Sequence, residues 1–136
     1  MFATIFLYIC GMEVTVKMYT CDVPDSRGVV IPKSVMEKAV DEYMNGDYSH
    51  IVSMETPDMY MFCNLNNAIG TVKDIKINEN GEMYGTINVL HTPKGEVFKE
   101  VFSSVPEHIK IVPMGVGDIE DGKYTHIDLT HFNVVI

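Results

Sequence analysis

Tryptophan is absent from this chain of 136 residues, and no low-complexity tract or internal repeat interrupts it. Cysteine occurs only three times, as Cys10, Cys21 and Cys63. An odd number with no C-x-x-C spacing excludes a disulfide framework and a zinc knuckle as organising devices, and a reducing compartment suits it. Basic residues are scarce too: 10 Lys plus Arg stand against 19 Asp plus Glu, for a net charge of -9. Such a chain repels phosphate and anionic lipid, so neither nucleic acid nor a membrane surface is an expected partner, and a basic protein fits better. Long apolar runs are missing. The stretch over residues 2–10 is about half of the ~20 residues that a membrane-spanning helix needs, and no Lys or Arg precedes it as in a signal peptide.

What is present is a core. Hydrophobic residues make up 46% of the chain, and Gly, Pro and Asn punctuate it into short elements typical of a single α+β domain. Strand alternation begins directly after Met12, with Glu13-Val14-Thr15-Val16-Lys17-Met18-Tyr19. The expected division is therefore an N-terminal extension over 1–11 and one domain over 12–136. A turn-rich loop from Asp22 to Gly28 leads to Pro32, which suits a first helical residue. Apolar residues Val35, Met36, Ala39, Val40 and Tyr43 then recur at three and four, predicting an amphipathic helix over 32–44, with Ser34 and Glu37 placed for a capping box. The region up to Pro57 has no periodicity and reads as a loop. Strands are expected over 60–65, 71–77 and 82–90, the last two joined as a hairpin by Asn78-Glu79-Asn80-Gly81. Thr92 as N-cap and Pro93 behind it predict a helix over 92–103. Strands over 109–114 and 124–136 complete the set, separated by a Gly115-Val116-Gly117 kink and the Asp121-Gly122 turn.

The order and wording of these segments resemble the prohead core serine proteases of large contractile-tailed phages. Ser26-Arg27-Gly28-Val29-Val30-Ile31-Pro32 is similar to that family's N-G-R-x-Y-P approach to its first helix, with the Gly-Arg order reversed and Ile31 in place of the tyrosine. Asn64 to Ile75 resembles the strand that follows the family's histidine loop. Tyr84-Gly85, then Leu90-His91-Thr92-Pro93-Lys94-Gly95, is similar to its Y-G and L-x-T-P-x-G strings, the most specific of the matches. The resemblance implies a bent antiparallel sheet, or a small β-barrel, flanked by two helices. It also implies a histidine-proline pair for the base and a serine in S-S-R-G-x-G for the nucleophile. Counting from Gly115-Val116-Gly117, the serine pair falls on Val112 and Pro113, and the histidine falls on Thr56. Valine and proline carry no side-chain oxygen, and threonine has no group that titrates near neutrality, so this route to acyl transfer is closed at those positions. Proline at 113 also removes a backbone N–H.

The reading that follows is a phage-encoded, catalytically silent relative acting through protein contacts, in capsid assembly or against a host factor. It would work in the host cytoplasm or the virion, without a cofactor. The acidic loops 22–25 and 118–121 are candidate contacts, and an exposed edge at 60–65 would permit a homo-oligomer. An active peptidase would have to recruit His50 and Ser53, or Ser103, Ser104 and His108. A small-ligand sequestering protein, with a concave pocket lined by Tyr and Met, is a further alternative. His126, Asp128 and His131 are the residues from which a metal site could be drawn: the first two share a strand face, whereas His131 needs a bulge to join them, and no metal is expected.

Overall fold

The computed structural model describes residues 12–46, 50–55 and 65–136. Among these residues six strands occur, β1 (Met12–Thr20), β2 (Ile51–Ser53), β3 (Ala68–Ile77), β4 (Glu82–Val89), β5 (Lys110–Glu120) and β6 (Lys123–Val135). Two helices of the described residues, α1 (Lys33–Asn45) and α2 (Pro93–Ser104), lie between them, with 3-10 turns at Leu65–Asn67 and Pro106–His108. The strands form one sheet in the order β1-β4-β3-β2-β6-β5. Every pairing is antiparallel except that of β2 with β6, which is parallel. The architecture is α+β, and the sheet is open, with β1 and β5 as its edges.

One face of the sheet makes the core. Along β4 every second residue, Met83, Gly85, Ile87 and Val89, is buried, and the register sets Ile87 between Val14 on β1 and Val72 on β3. Val52 and Phe132 extend the same face into β2 and β6. Helix α1 closes this core with Met36, Ala39, Val40 and Tyr43, the stripe that the spacing predicts. The edge of the Tyr43 ring meets Phe132 at a centroid distance of 5.7 Å.

The Thr-Pro-x-Gly string has a physical reason. Thr92 Oγ1 accepts the Gly95 N–H at 2.9 Å and donates to the Ala68 carbonyl at 2.6 Å, so one hydroxyl caps α2 and ties it to β3. A Cβ at Gly95 would lie 2.1 Å from the Leu90 carbonyl oxygen, and only glycine fits there. Phe98 is the fully buried residue of α2, stacked on Phe102 at 5.9 Å.

Several expectations need correcting. The region before Pro57 is not all loop: β2 lies within it, at the centre of the sheet between β3 and β6. Three residues are too few to show alternation, which is why the sequence hides it. The sheet does not close into a barrel, because β1 and β5 stay separate edges. The Gly115-Val116-Gly117 kink does not end a strand. β5 runs through it, since added Cβ atoms at Gly115 and Gly117 would sit 2.3 and 2.1 Å from the Asp128 and His126 carbonyl oxygens of β6. These glycines allow close strand approach. The Ser34 and Glu37 capping box does not form at α1, whose Lys33 N–H is held instead by Asp22 Oδ1 at 3.1 Å. The strand and homo-oligomer edge expected over 60–65 fall outside the described residues, apart from Leu65, which opens a 3-10 turn.

Candidate functional site

The site grows from a bulge in β6. Met114 pairs with His131 but Gly115 pairs with Leu129, so Thr130 is an extra residue, and its Oγ1 donates to the Met114 carbonyl at 3.1 Å. The insertion switches which residues face the core, from Ile127 and Leu129 before it to Phe132 and Val134 after it. His131 and Asn133 are thereby turned to the opposite face, across from Met114 and Val112 of β5. Ser53 joins them, because it pairs with Asn133 in the parallel β2–β6 ladder.

This second face is polar yet covered. Ser53 and Asn133 are 0% exposed, and His131 and Glu55 are buried beside them. Asn133 Oδ1 accepts the Glu55 N–H at 2.8 Å, and Glu55 Oε2 accepts from Asn67 Nδ2 at 2.8 Å. His131 Nδ1 lies 3.1 Å from Thr130 Oγ1. The Ser53 hydroxyl and the Asn133 Nδ2 have no hydrogen-bond partner among the described residues. Each such orphan costs about 1–3 kcal/mol of desolvation, and these two lie on paired strands.

Val112 and Pro113, on which the resemblance places the serine pair, sit near the start of β5 opposite Asn133 and Phe132. Thr56, the matching base position, lies outside the described residues, next to Glu55. The residues a rearranged peptidase would need are not joined to one another. His50 Nε2 is 2.8 Å from the Tyr43 carbonyl, with its ring 4.7 Å from the Tyr43 ring, so it serves the end of α1. Ser53 is buried without a base on its hydroxyl. Ser103 and Ser104 are exposed at the end of α2 and His108 is exposed in the following turn, and no hydrogen bond links them. The bulge does bring His131 to the face of His126 and Asp128, and His126 Nε2 meets Asp128 Oδ1 at 3.0 Å. No group of three metal-ligating side chains forms among the described residues. The polar residues that sequence reasoning missed, Glu55, Asn67 and Asn133, follow from β2 being invisible; the one available signal was a lone asparagine inside the apolar run Phe132 to Ile136.

A second concavity separates the sheet edges. A cleft of about 930 Å³ lies between the end of β1 and the start of β5, with Met18, Tyr19, Ile111 and Met114 in its walls and the 23–27 loop at its rim. The Tyr19 hydroxyl is buried there without a hydrogen-bond partner, and burial, aided by Asp25 and Cys21, pushes its pKa up to about 12. Burial, with Asp22 and Glu37, likewise raises the Cys21 thiol to about 11, so this cysteine stays protonated and unreactive at neutral pH. The rim is fixed by Asp25, whose Oδ1 accepts the Arg27 and Val29 N–H groups at 2.8 and 3.2 Å and whose Oδ2 pairs with Arg27 Nη2 at 2.9 Å.

No helix among the described residues is long and apolar enough to cross a membrane. Neither a family model nor a curated protein matches the chain. Among solved structures it is similar to the capsid assembly protease gp21 of bacteriophage T4, with a TM-score of 0.71 and 18% identity over 90% of this chain and 80% of that one. An identity that low speaks for architecture alone, and the architecture that this open six-stranded sheet and its two helices adopt is the prohead-protease-like α+β fold.

Proposed function

We propose that this chain is a catalytically silent relative of the phage prohead proteases that acts through protein contacts, in capsid assembly or against a host factor. The observation that carries the reading is the content of the first part of β5. Val112 and Pro113 stand in the strand that would present the nucleophile, opposite Asn133 and Phe132. A valine side chain has no electron pair to attack a carbonyl, and a proline has no N–H to stabilise an oxyanion. The Ser53 hydroxyl and the Asn133 Nδ2 near them have no hydrogen-bond partner among the described residues, which accords with a polar site not assembled for reaction. The test is digestion of casein, followed by mass spectrometry, alongside sedimentation of the chain with particles assembled from phage shell and scaffold proteins. The reading expects intact casein and co-sedimentation. Discrete peptide products that disappear in Ser53→Ala or Ser104→Ala would overturn it in favour of an active serine peptidase.

The cleft between β1 and β5 supports a second reading, a small-ligand sequestering protein. Its volume of about 930 Å³ is within the range of ligand sites, and Tyr19, Met18 and Met114 give it aromatic and thioether walls. A metabolite panel that raises the melting temperature through binding linkage, with the rise lost in Tyr19→Ala, would favour this reading.

A further inference from the structure

We infer that the outer edge of β5, from Gly115 to Glu120, is a docking edge for an extended segment of another protein that carries Lys or Arg at every second position. The inference gives the protein-contact reading its partner chemistry and rests on that reading. Three observations carry it. First, β5 ends the strand order, and no backbone hydrogen bond outside its ladder with β6 involves residues 115–120 among the described residues. The cleft lined by β1 flanks only the earlier part of the strand, Ile109 to Met114. The later part therefore presents an unused row of N–H and C=O groups, the template on which strand addition works.

Second, this edge exposes apolar side chains beside its two carboxylates. Val116 is 63% exposed and Ile119 49%, and no lysine or proline lies on β5 from 115 to 120 to discourage pairing. Gly115 and Gly117 add no side chain of their own, so a bulky residue on an incoming strand meets open backbone there.

Third, the charge selects the partner. The β5–β6 hairpin over 115–130 holds Asp118, Glu120, Asp121 and Asp128 against the single lysine Lys123. Val116, Asp118 and Glu120 point to one face and pair with Asp128, His126 and Lys123. None of Asp118, Glu120 and Asp121 has an ion-pair partner. A strand laid beside β5 places its alternate side chains against Asp118 and Glu120, where cations are favoured and anions repelled. The same charges disfavour a second copy, because self-pairing of the edge would bring these carboxylates together.

The test uses the full chain and a short capped peptide alternating lysine and valine, followed by fluorescence anisotropy at low and moderate salt. Its comparators are a glutamate–valine peptide and a lysine–valine peptide N-methylated at every second residue. The lysine peptide is expected to bind at least about tenfold more tightly than either comparator, with binding weakened by salt. Asp118→Lys with Glu120→Lys should abolish binding, whereas Glu100→Lys with Glu107→Lys, an equal charge change on exposed residues away from the edge, should leave most of it. No binding, equal loss in both double variants, or no effect of N-methylation would overturn the inference. So would a concentration-dependent dimer that Val116→Lys dissolves, since the edge would then serve a second copy. Absence of peptide binding with casein still intact removes this edge and leaves the protein-contact reading standing. Casein cleavage removes that reading whatever the peptides do.

Discussion

The two halves of the sheet obey different rules. In the half made by β1, β4 and β3, inside and outside alternate: Met83, Ile87 and Val89 are buried, while Glu82, Tyr84, Thr86 and Asn88 are not. Its outer face is dressed with ordinary surface pairs, such as Lys73 Nζ to Glu13 Oε1 at 2.7 Å and Thr15 Oγ1 to Thr86 Oγ1 at 3.2 Å. In the half made by β2, β6 and β5, four consecutive residues, His131 to Val134, are all buried, and two polar groups among the buried residues have no hydrogen-bond partner. The first half carries one such group too, the Tyr19 hydroxyl at the end of β1. The second holds two of them on paired strands, Ser53 of β2 and Asn133 of β6, and it contains the strand on which the sequence resemblance places the nucleophile.

Changes in the core should hurt both halves alike, and this gives the largest expected effect. Phe132→Ala should lose about 4 kcal/mol and Ile87→Ala about 3 kcal/mol in denaturant melts. A Phe132→Ala loss below about 1 kcal/mol would mean that the second half is loosely packed and the comparison false. Thr92→Ala comes next. Removing the cap of α2 and its bond to the Ala68 carbonyl should cost about 1–2 kcal/mol, with Thr92→Ser recovering most of it.

Asp25→Asn should follow, with a pH signature. Burial tends to raise this carboxyl, but the Arg27 side chain and the Arg27 and Val29 N–H groups outweigh it and hold it below the usual carboxylate range. A depressed folded pKa contributes stability that is present above the unfolded value of about 3.9 and is lost as pH falls through the folded one. The difference between the protein and Asp25→Asn should therefore be about 1 kcal/mol at neutral pH and vanish in acid. The smallest effect separates the halves best. Ser53→Ala deletes a buried hydroxyl that has no partner, so stability should stay within about 0.5 kcal/mol or rise by about 1 kcal/mol. A clear loss would show that Ser53 is hydrogen-bonded in solution and that the site is still assembled.

How much of this was legible in the residues follows the same division. The β3–β4 hairpin, both helices and the long final strand announce themselves through alternation, Asn78 to Gly81, Pro32 and Thr92, because local chemistry decides them. Asn78 Oδ1, for instance, accepts the Asn80 and Glu82 N–H groups at 3.0 and 2.9 Å and fixes the turn by itself. β2 is different. Its three residues are a strand only because β3 and β6 flank them, and that pairing spans residues far apart in sequence. With β2 unread, Ser53, Glu55 and Asn133 could not be seen to converge. The Thr130 bulge was hidden for a related reason: strict alternation places His131 opposite His126, and only the register with β5 shows the extra residue.

Silence at Val112 and Pro113 is the central claim, and covalent labelling tests it most directly. The purified chain would be incubated with a fluorophosphonate probe beside an active serine peptidase and read by intact mass. The account predicts no mass shift at probe concentrations that label the control completely. A single adduct mapped to Ser53, Ser103 or Ser104 would contradict it, and would mean that a base reaches a serine hydroxyl that has no hydrogen bond to an imidazole among the described residues.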